Sequence, residues 1–393
     1  MISLSQSPLD PAFVQNPYPF YDRVRATGAF VHWADYDLPV TARATVVGAA
    51  LRDRRLGREA PPECAPPIPP HLAPFYAVEA HSMLELDGPR HARLRRLVLH
   101  AFTTGRIARL APDIEALAHQ LIDRMPPGGG DLLDAFARPL PVILIARLLG
   151  VPEAAAPDLL AWSNAMVGMY QAGRSPETEA AAVRATEAFV AFLHDHVARK
   201  RRAPADDLIS HLIAAEEAGT HLSPDELIAT CILLLNAGHE ATVHTIGNGV
   251  KTLLETGTGG DWLTPARIEG TVEEILRADP PLHLFTRWVY EEIELAGHSF
   301  RRGDRIGLLL AGANRDPGPW EDPAAFRPGR PVQTNFAFGA GAHFCIGAPL
   351  ARLELTTALP VLFKRLPDLR LAEAPRYANL YHFHGLERLM VSY

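Results

Sequence analysis

Apolar residues recur every three to four positions along most of this chain, which is the spacing of one face of an α-helix. The pattern predicts amphipathic helices over residues 112–126, 139–150 and most of 156–216. Shorter alternating segments at residues 30–33 and 38–42 predict β-strands. The hydrophobic pattern therefore favours a mainly α-helical protein with small β-sheets.

The longest predicted helix begins at a capping box made by Ser223 and Glu226, with Pro224 at the first helical position. Its apolar pattern continues to about Glu255. Near the middle, residues 236–242 read Asn-Ala-Gly-His-Glu-Ala-Thr. A glycine inside a helix costs about 1 kcal/mol, and a glutamate in an apolar helix is also unfavourable. We therefore expect a packing or functional reason for this stretch.

Prolines are concentrated between residues 59 and 74. Such a composition is typical of a disordered linker. However, Phe75, Tyr76 and Met83 follow at once, and a helical pattern resumes. An ordered loop that covers a pocket is the better prediction.

One cysteine lies in a glycine-rich stretch, residues 338–347, which reads Phe-Gly-Ala-Gly-Ala-His-Phe-Cys-Ile-Gly. The glycines allow close backbone approach and positive φ angles. A helix is predicted over residues 348–363, with Pro349 in its first turn. Cys345 thus lies at a helix N-terminus, where backbone N–H groups and the dipole favour a thiolate. An anionic sulfur in a tight loop is a ready metal ligand.

Three interpretations of this stretch compete. A lone cysteine is usually a small buried hydrophobe. A dinucleotide-binding loop is disfavoured because Phe344 stands where a third glycine is needed. The ten residues resemble the cysteine loop of the cytochrome P-450 family, Phe-Gly-x-Gly-x-His-x-Cys-x-Gly, and every fixed position is filled. The resemblance implies that Cys345 is the axial ligand of a haem b iron, and we favour this interpretation.

The resemblance extends from Pro17 to Leu386, with motifs in family order. It implies one domain over residues 1–393 with the cytochrome P-450 fold. That fold is a triangular prism in which haem lies between the long central helix and the helix after the cysteine loop.

The resemblance also implies the residues that hold the haem. His91 and Arg95 are four apart on a predicted helix and share one face, which suits two buried carboxylates. The other basic residues expected at the haem propionates are Arg287 and His343. The remaining expected haem contacts are Ala237, Phe338, Gly339 and Gly347.

Residues 236–242 resemble the family's oxygen-activating helix, whose pattern is Ala-Gly-x-Glu/Asp-Thr-Thr. The resemblance implies that Gly238 and its small neighbours leave room for dioxygen and that Glu240 feeds a proton relay. Ala241 departs from the pattern because a threonine usually stands there, whereas Thr242 keeps the second hydroxyl. Without that threonine the relay uses water, Thr242 or a hydroxyl of the substrate.

Glu274 and Arg277 are three apart on a predicted helix, a spacing that is usually found in a surface ion pair. In the family, however, this pair is buried and locks the cysteine loop together with a third basic residue. Arg330 resembles that third residue. We expect the three to be structural.

Residues 383–386 resemble a turn that enters the pocket, with His384 where the family frequently has arginine. His382 and His384 also suggest metal ligands on a strand. No third ligand is apparent from the sequence, so we retain the turn interpretation.

Composition excludes several classes of protein. With 48% hydrophobic and 21% charged residues, the 393-residue chain can bury a substantial core. A net charge of −7 disfavours a nucleic-acid partner. Three scattered cysteines fit a reducing compartment. The proline-broken N-terminus and the short apolar runs predict neither a signal peptide nor a membrane anchor, and thus a cytoplasmic protein. The abundance of alanine, arginine and proline indicates a bacterial source.

The resemblance implies a monooxygenase that inserts one atom of O2 into a small-to-medium, mainly apolar organic substrate. Electrons would come from NAD(P)H through a separate ferredoxin reductase and ferredoxin, which would dock on a basic patch of Arg93, Arg96 and Arg352. Two alternatives stay open. A peroxygenase is disfavoured because the central helix lacks an Arg-Pro pair and because Glu240 favours the proton relay. A non-catalytic haem-thiolate sensor or binding protein is also disfavoured, although the absence of the threonine at Ala241 makes it less remote.

Overall fold

The structure is a computed structural model that describes residues 1–171, 173–217, 222–381 and 383–393. Helices make up most of its regular structure, which confirms the predicted fold class. In chain order the described α-helices are α1 (Pro11–Gln15), α2 (Tyr18–Thr27), α3 (Ala44–Ala50), α4 (Ala73–Glu79), α5 (Gly88–Ala101), α6 (Thr104–Ala108), α7 (Ala111–Asp123), α8 (Pro139–Leu149), α9 (Ala156–Val167), α10 (Pro176–Arg202), α11 (Leu208–Glu217), α12 (Pro224–Thr256), α13 (Ile268–Ala278), α14 (Leu310–Ala313) and α15 (Ala348–Arg365).

The strands are short and mostly at the ends of the chain. They are β1 (Ser3–Leu4), β2 (Val31–Trp33), β3 (Leu38–Thr41), β4 (Leu56–Gly57), β5 (Gly129–Asp131), β6 (Leu284–Val289), β7 (Ile293–Leu295), β8 (His298–Phe300), β9 (Arg305–Leu309), β10 (Arg370–Leu371), β11 (Arg376–Tyr377), β12 (Leu386–Arg388) and β13 (Met390–Ser392). The strands predicted at residues 30–33 and 38–42 are β2 and β3.

The largest sheet has six strands in the order β1-β2-β3-β9-β6-β4. Its β3 and β9 run parallel, with Val40 opposite Gly307, whereas β6 and β9 are antiparallel, with Arg287 opposite Ile306. A three-stranded sheet, β10-β13-β5, and two hairpins, β7-β8 and β11-β12, complete the β structure. The large sheet fixes β6, the strand that carries Arg287.

The predicted capping box starts α12. The Glu226 N–H donates to Ser223 Oγ at 3.2 Å, and the Ser223 N–H donates to Glu226 Oε2 at 2.9 Å. The helix then runs for 33 residues and ends at Gly257, whose φ is 66°. Residues in its first half, such as Leu227 and Leu235, pack in one hydrophobic cluster with α5, α8, α9 and α10. Residues from Val243 onward pack in a second cluster with α7, α13 and α15.

The proline-rich segment is ordered. A short 3-10 turn at Pro70–Leu72 leads into α4, whose Phe75 is buried. The α4 helix is tied to the turn Gly168–Tyr170, because the Tyr170 hydroxyl donates to Glu79 Oε2 at 2.8 Å. This geometry fits a covering loop, which stays a prediction. Among the described residues, we find no helix both long and apolar enough to cross a membrane.

Candidate functional site

The cysteine loop closes on itself before α15. The Cys345 N–H donates to the Phe338 carbonyl at 3.1 Å. Gly339 and Gly341 have φ values of 65° and 72°, as predicted, and a Cβ on Gly341 would lie 2.0 Å from the Leu51 carbonyl oxygen. Gly347 differs, since its φ is −76°. A Cβ there would lie 3.7 Å from the Cys345 sulfur, so that glycine contributes close approach rather than a left-handed backbone.

Cys345 is half-buried, and the burial of its thiol raises the pKa. The backbone N–H groups of Gly347 and Ala348 and the charges of Arg95 and Arg352 lower the pKa, but less than burial raises it. The N–H groups at the start of α15 therefore favour the thiolate, as the sequence predicts, but burial outweighs them in the free side chain. Coordination to a metal deprotonates a thiol outright, and these same N–H groups then stabilise the sulfur charge.

The four basic residues predicted at the haem propionates lie together around this loop. The rings of His91 and His343 are 4.3 Å apart. Arg95 Nη2 donates to the Phe344 carbonyl at 2.6 Å. Arg287 is 2% exposed, and burial lowers its pKa to about 10. Burial also lowers the pKa of His343, and the Arg287 charge adds to that effect.

Asp87 is a member of this group that the sequence analysis missed. Its side chain accepts hydrogen bonds from His343 Nε2 at 2.9 Å, from the Tyr290 hydroxyl at 2.8 Å and from the backbone N–H groups of Arg58 and Glu59. Burial raises its pKa, but these donors outweigh burial and hold the pKa well below the usual range. An aspartate before Gly-Pro at a helix start is typical of a helix cap. Here the Asp87 side chain makes no capping bond and serves the cysteine loop instead.

The middle of α12 has one open face. Ala237 is exposed although most of the helix around it is buried. Glu240, Ala241 and His244 are half-buried, and they continue that face along the helix. Thr242 is only 6% exposed. The open face is therefore lined by two alanines, a carboxylate and an imidazole, with no threonine among its described members.

Gly238 has a packing explanation. A Cβ on this residue would lie 3.0 Å from Cγ1 of Ile145 on α8, which is tighter than ordinary contact. The glycine allows α8 and α12 to approach closely. Of the two small residues, Ala237 rather than Gly238 leaves room on the open face.

Glu240 is the titratable group of this face. Burial raises its pKa to about 7, and the positive charge of Arg138 opposes the rise. His239 Nε2 lies 3.9 Å from Glu240 Oε2, and burial lowers the pKa of His239 to about 4. A carboxyl group with a pKa near neutrality can both accept and donate a proton.

A buried ion-pair network lies behind the cysteine loop. Arg277 donates to both oxygens of Glu274, at 2.7 and 2.8 Å, and both side chains are nearly inaccessible. Arg330 Nε lies 3.5 Å from Glu274 Oε1, so the three predicted residues meet. Arg277 Nη1 also donates to the Asn314 carbonyl at 3.0 Å, and Asn314 Oδ1 accepts from the Phe336 N–H at 2.7 Å. These bonds connect the network to the start of the loop.

Two further features escaped the sequence analysis. Glu354 on α15 is 1% exposed, neither carboxylate oxygen has a hydrogen-bond partner among the described residues, and burial raises its pKa to about 8. Gly385, in the C-terminal turn, packs directly on α12, since a Cβ there would lie 1.8 Å from His244 Nδ1. A lone glutamate inside an apolar helix was the signal for Glu354. No local signal marked the contact of Gly385.

The predicted docking patch is largely engaged within the chain. Arg93 pairs with Glu226, and Arg352 donates to Glu273 at 2.5 and 3.2 Å. The Arg352 guanidinium also lies 4.6 Å from the centre of the Phe338 ring. Two of the three arginines therefore have carboxylate partners.

The residues around Cys345 fit a haem. They supply one soft sulfur ligand with N–H groups directed at it, a helix face lined by Ala237 and Ala241, and four basic side chains on one side. Basic side chains buried beside one carboxylate suit the two acid groups of a porphyrin. His382, considered as a metal ligand, lies outside the described residues.

Comparison with known proteins agrees with this geometry. Residues 268–367 match the family model described as Cytochrome P450. The chain is 41% identical over 318 residues to the polyketide biosynthesis cytochrome P450 PksS of Bacillus subtilis, covering 79% of this chain and 77% of that one. It is 36% identical over 376 residues to the cytochrome P450 monooxygenase PikC of Streptomyces venezuelae, covering 92% and 87%.

A solved structure extends the match to the whole fold. P450BioI, in complex with an acyl carrier protein ligated to hexadec-9Z-enoic acid, has a TM-score of 0.92 and 32% identity to this chain, covering 98% of it and all of that chain. Similarity in sequence and fold over nearly the full length leads to one conclusion. The chain belongs to the cytochrome P450 family and is a haem monooxygenase.

Proposed function

We propose that this enzyme inserts one oxygen atom from O2 into a small-to-medium, mainly apolar organic molecule. The proposed cofactor is haem b, with Cys345 as the iron ligand. Electrons come from NAD(P)H through a separate ferredoxin reductase and ferredoxin. The observation that carries the proposal is the cysteine loop itself, in which two backbone N–H groups are directed at the sulfur of Cys345.

Different residues of the chain are proposed to hold the haem and to shape the space around it. Bound haem supplies the activation of dioxygen, which a thiolate ligand favours. His91, Arg95, Arg287 and His343 hold its propionates, and they lie close enough to one another to do so together. Phe338, Gly339 and Gly347 shape the loop, and Ala237 leaves room on the facing helix.

Glu240 is the proposed proton carrier. Its pKa of about 7 lets it take a proton from water and release it again near neutral pH. Because Ala241 carries no hydroxyl and Thr242 is packed inside, the last donor is water or a hydroxyl of the substrate.

The ligand assignment is tested by the spectrum of the reduced carbon monoxide complex. Cys345→Ser should lose the red-shifted Soret band of a thiolate-ligated haem, whereas the matched Cys64→Ser variant should keep it. A Cys345→Ser protein that keeps the band would refute the assignment.

The reaction class is tested by product formation. With NADH and a surrogate ferredoxin system, the enzyme should form an oxygenated product in a substrate-dependent manner. Product formed with hydrogen peroxide but not with NADH would identify a peroxygenase, and product from neither would favour a sensor.

The substrate is best found by screening for a low-to-high-spin shift of the haem. The relatives act on different molecules by their names, one in polyketide and one in biotin biosynthesis. One solved relative binds an acyl chain carried by acyl carrier protein. A carrier-linked acyl chain therefore belongs in the screen beside free small molecules. A shift with the carrier-linked chain alone would assign a protein-bound substrate.

A further inference from the structure

Three metal-ligating side chains meet on the side of the fold where α13 ends. Asp279 follows α13, His283 precedes β6, and His384 lies in the turn before β12. One possible ligand atom from each lies within 4.8 Å of the other two, and all three residues are buried. His384 Nε2 and Asp279 Oδ1 are 3.4 Å apart. Two ligands of a tetrahedral zinc ion are separated by roughly this distance, given bond lengths of about 2.0–2.2 Å.

His283 gives an independent indication of a missing partner. The residue is fully buried, and its Nε2 makes no well-formed hydrogen bond among the described residues, although the Pro280 carbonyl lies near the ring. Its Nδ1 is 2.9 Å from the Tyr21 hydroxyl, which is in turn 2.8 Å from the Tyr381 hydroxyl. A metal-bound histidine is usually oriented in this way, by a hydrogen bond at its other ring nitrogen. An unpaired buried nitrogen is otherwise unfavourable.

The other two residues are also held in place. The His384 ring stacks on Tyr377 with ring centres 3.8 Å apart. Tyr18 donates from its hydroxyl to Asp279 Oδ1 at 2.7 Å, and Tyr377 donates to Asp279 Oδ2. Asn248 Nδ2 donates to the backbone carbonyls of His384, at 2.9 Å, and of Asp279, at 3.3 Å. The cluster is therefore preorganised by α12 and by aromatic neighbours.

We propose that Asp279, His283 and His384 bind a divalent transition metal ion of the zinc type, at a site separate from Cys345. Two imidazoles and one carboxylate form a ligand set common to zinc and to iron(II). A water molecule would complete the coordination.

Nearby positive charge limits the affinity. The Arg315 guanidinium lies 3.3 Å from the centre of the Tyr18 ring, on the edge of the cluster, and the charge of Lys251 also bears on His384. We therefore expect this site to bind zinc less tightly than a thiolate site does. The ion would be structural, since it joins the end of α13, the start of β6 and the C-terminal turn.

The test is the zinc content of the haem-loaded protein. The enzyme is stripped with EDTA, equilibrated with zinc sulfate and desalted, and zinc is measured by mass spectrometry alongside haem. We expect close to one zinc per chain and a rise in melting temperature with zinc. His283→Gln and His384→Gln should each lose the bound zinc and the rise. His32→Gln is the matched control, because His32 pairs with Asp37 at 2.9 Å on the surface without a third ligand.

Each other outcome overturns the proposal. Wild-type protein that retains no zinc, or gains no thermal stability from it, has no such site, and this result does not depend on any variant folding. Zinc that remains bound in both histidine variants must be bound at another position. Iron above the haem content, with zinc excluded, would reassign the metal and overturn the zinc assignment.

Discussion

Removal of the Glu274 carboxylate is the sharpest test of how the cysteine loop is held. Glu274 accepts two hydrogen bonds from Arg277 and one, at 2.7 Å, from the backbone N–H of Arg327. In Glu274→Ala, the Arg277 guanidinium stays buried without a counter-charge. Such a change costs about 3–5 kcal/mol, and the lost bond to Arg327 adds about 1 kcal/mol.

The expected loss of about 4–6 kcal/mol compares with a total stability of about 5–15 kcal/mol for a folded protein. The neighbouring Glu273 provides the matched control. It pairs with Arg352, whose side chain is 36% exposed, so Glu273→Ala should cost at most about 1 kcal/mol. Guanidinium unfolding followed by circular dichroism measures the free energy of unfolding of both variants. The pyridine haemochromogen spectrum gives their haem content.

A double variant separates the unpaired charge from simple loss of packing. Arg277→Met in the Glu274→Gln background removes the stranded cation and should recover part of the stability lost in Glu274→Gln alone. The reasoning is refuted if the two changes merely add. It is also refuted if Glu274→Ala loads haem and unfolds like Glu273→Ala.

Three more predictions concern single positions. Because the pKa of buried Glu354 is about 8, above its unfolded value, wild-type stability should fall as pH rises from about 4.5 to 8. Glu354→Gln should remove that pH dependence and should raise the free energy of unfolding at pH 7 by about 2–3 kcal/mol, measured by denaturant unfolding. A variant with the same pH profile as the wild type would contradict the raised pKa of Glu354. Gly341→Ala should abolish haem loading, since its Cβ would meet backbone at 2.0 Å, whereas Gly105→Ala, with open space around it, should not; equal haem content would contradict this. Ala241→Thr should slow turnover with the true substrate and should raise the product formed per NADH with poor substrates. Thr242→Val changes a packed position, so the amount of peroxide released should change little. Strong uncoupling by Thr242→Val would show that the Thr242 hydroxyl reaches the open face.

The sequence predicted well whatever depends on local pattern. The capping box of α12, the positive φ angles of Gly339 and Gly341, and the main helices follow from residue types and spacing alone. The gathering of His91, Arg95, Arg287 and His343 around the loop was accessible only through the family resemblance. Nothing in their own spacing brings residues so far apart in the chain together.

What the sequence could not reveal depends on contacts made across the fold. Asp87 has the signature of a helix cap, and only the positions of His343 and Tyr290 give it another role. The rise in the pKa of the free Cys345 thiol was likewise not predictable, because desolvation is set by tertiary packing rather than by the helix that follows. His384 lacked a third ligand in the sequence because Asp279 and His283 are about a hundred residues away.

The division of α12 between two hydrophobic clusters has a consequence for cooperativity. Its first half is packed with one set of helices and its second half with another, and the exposed Ala237 lies between them. Two cores joined by a poorly packed helical turn are expected to lose structure in separate steps when nothing bridges that turn. Amide hydrogen exchange should therefore be fastest within α12 at its centre rather than at its ends. A cofactor that contacts this turn would join the two halves into one unfolding unit. Its binding would therefore slow amide exchange in regions that the cofactor does not contact.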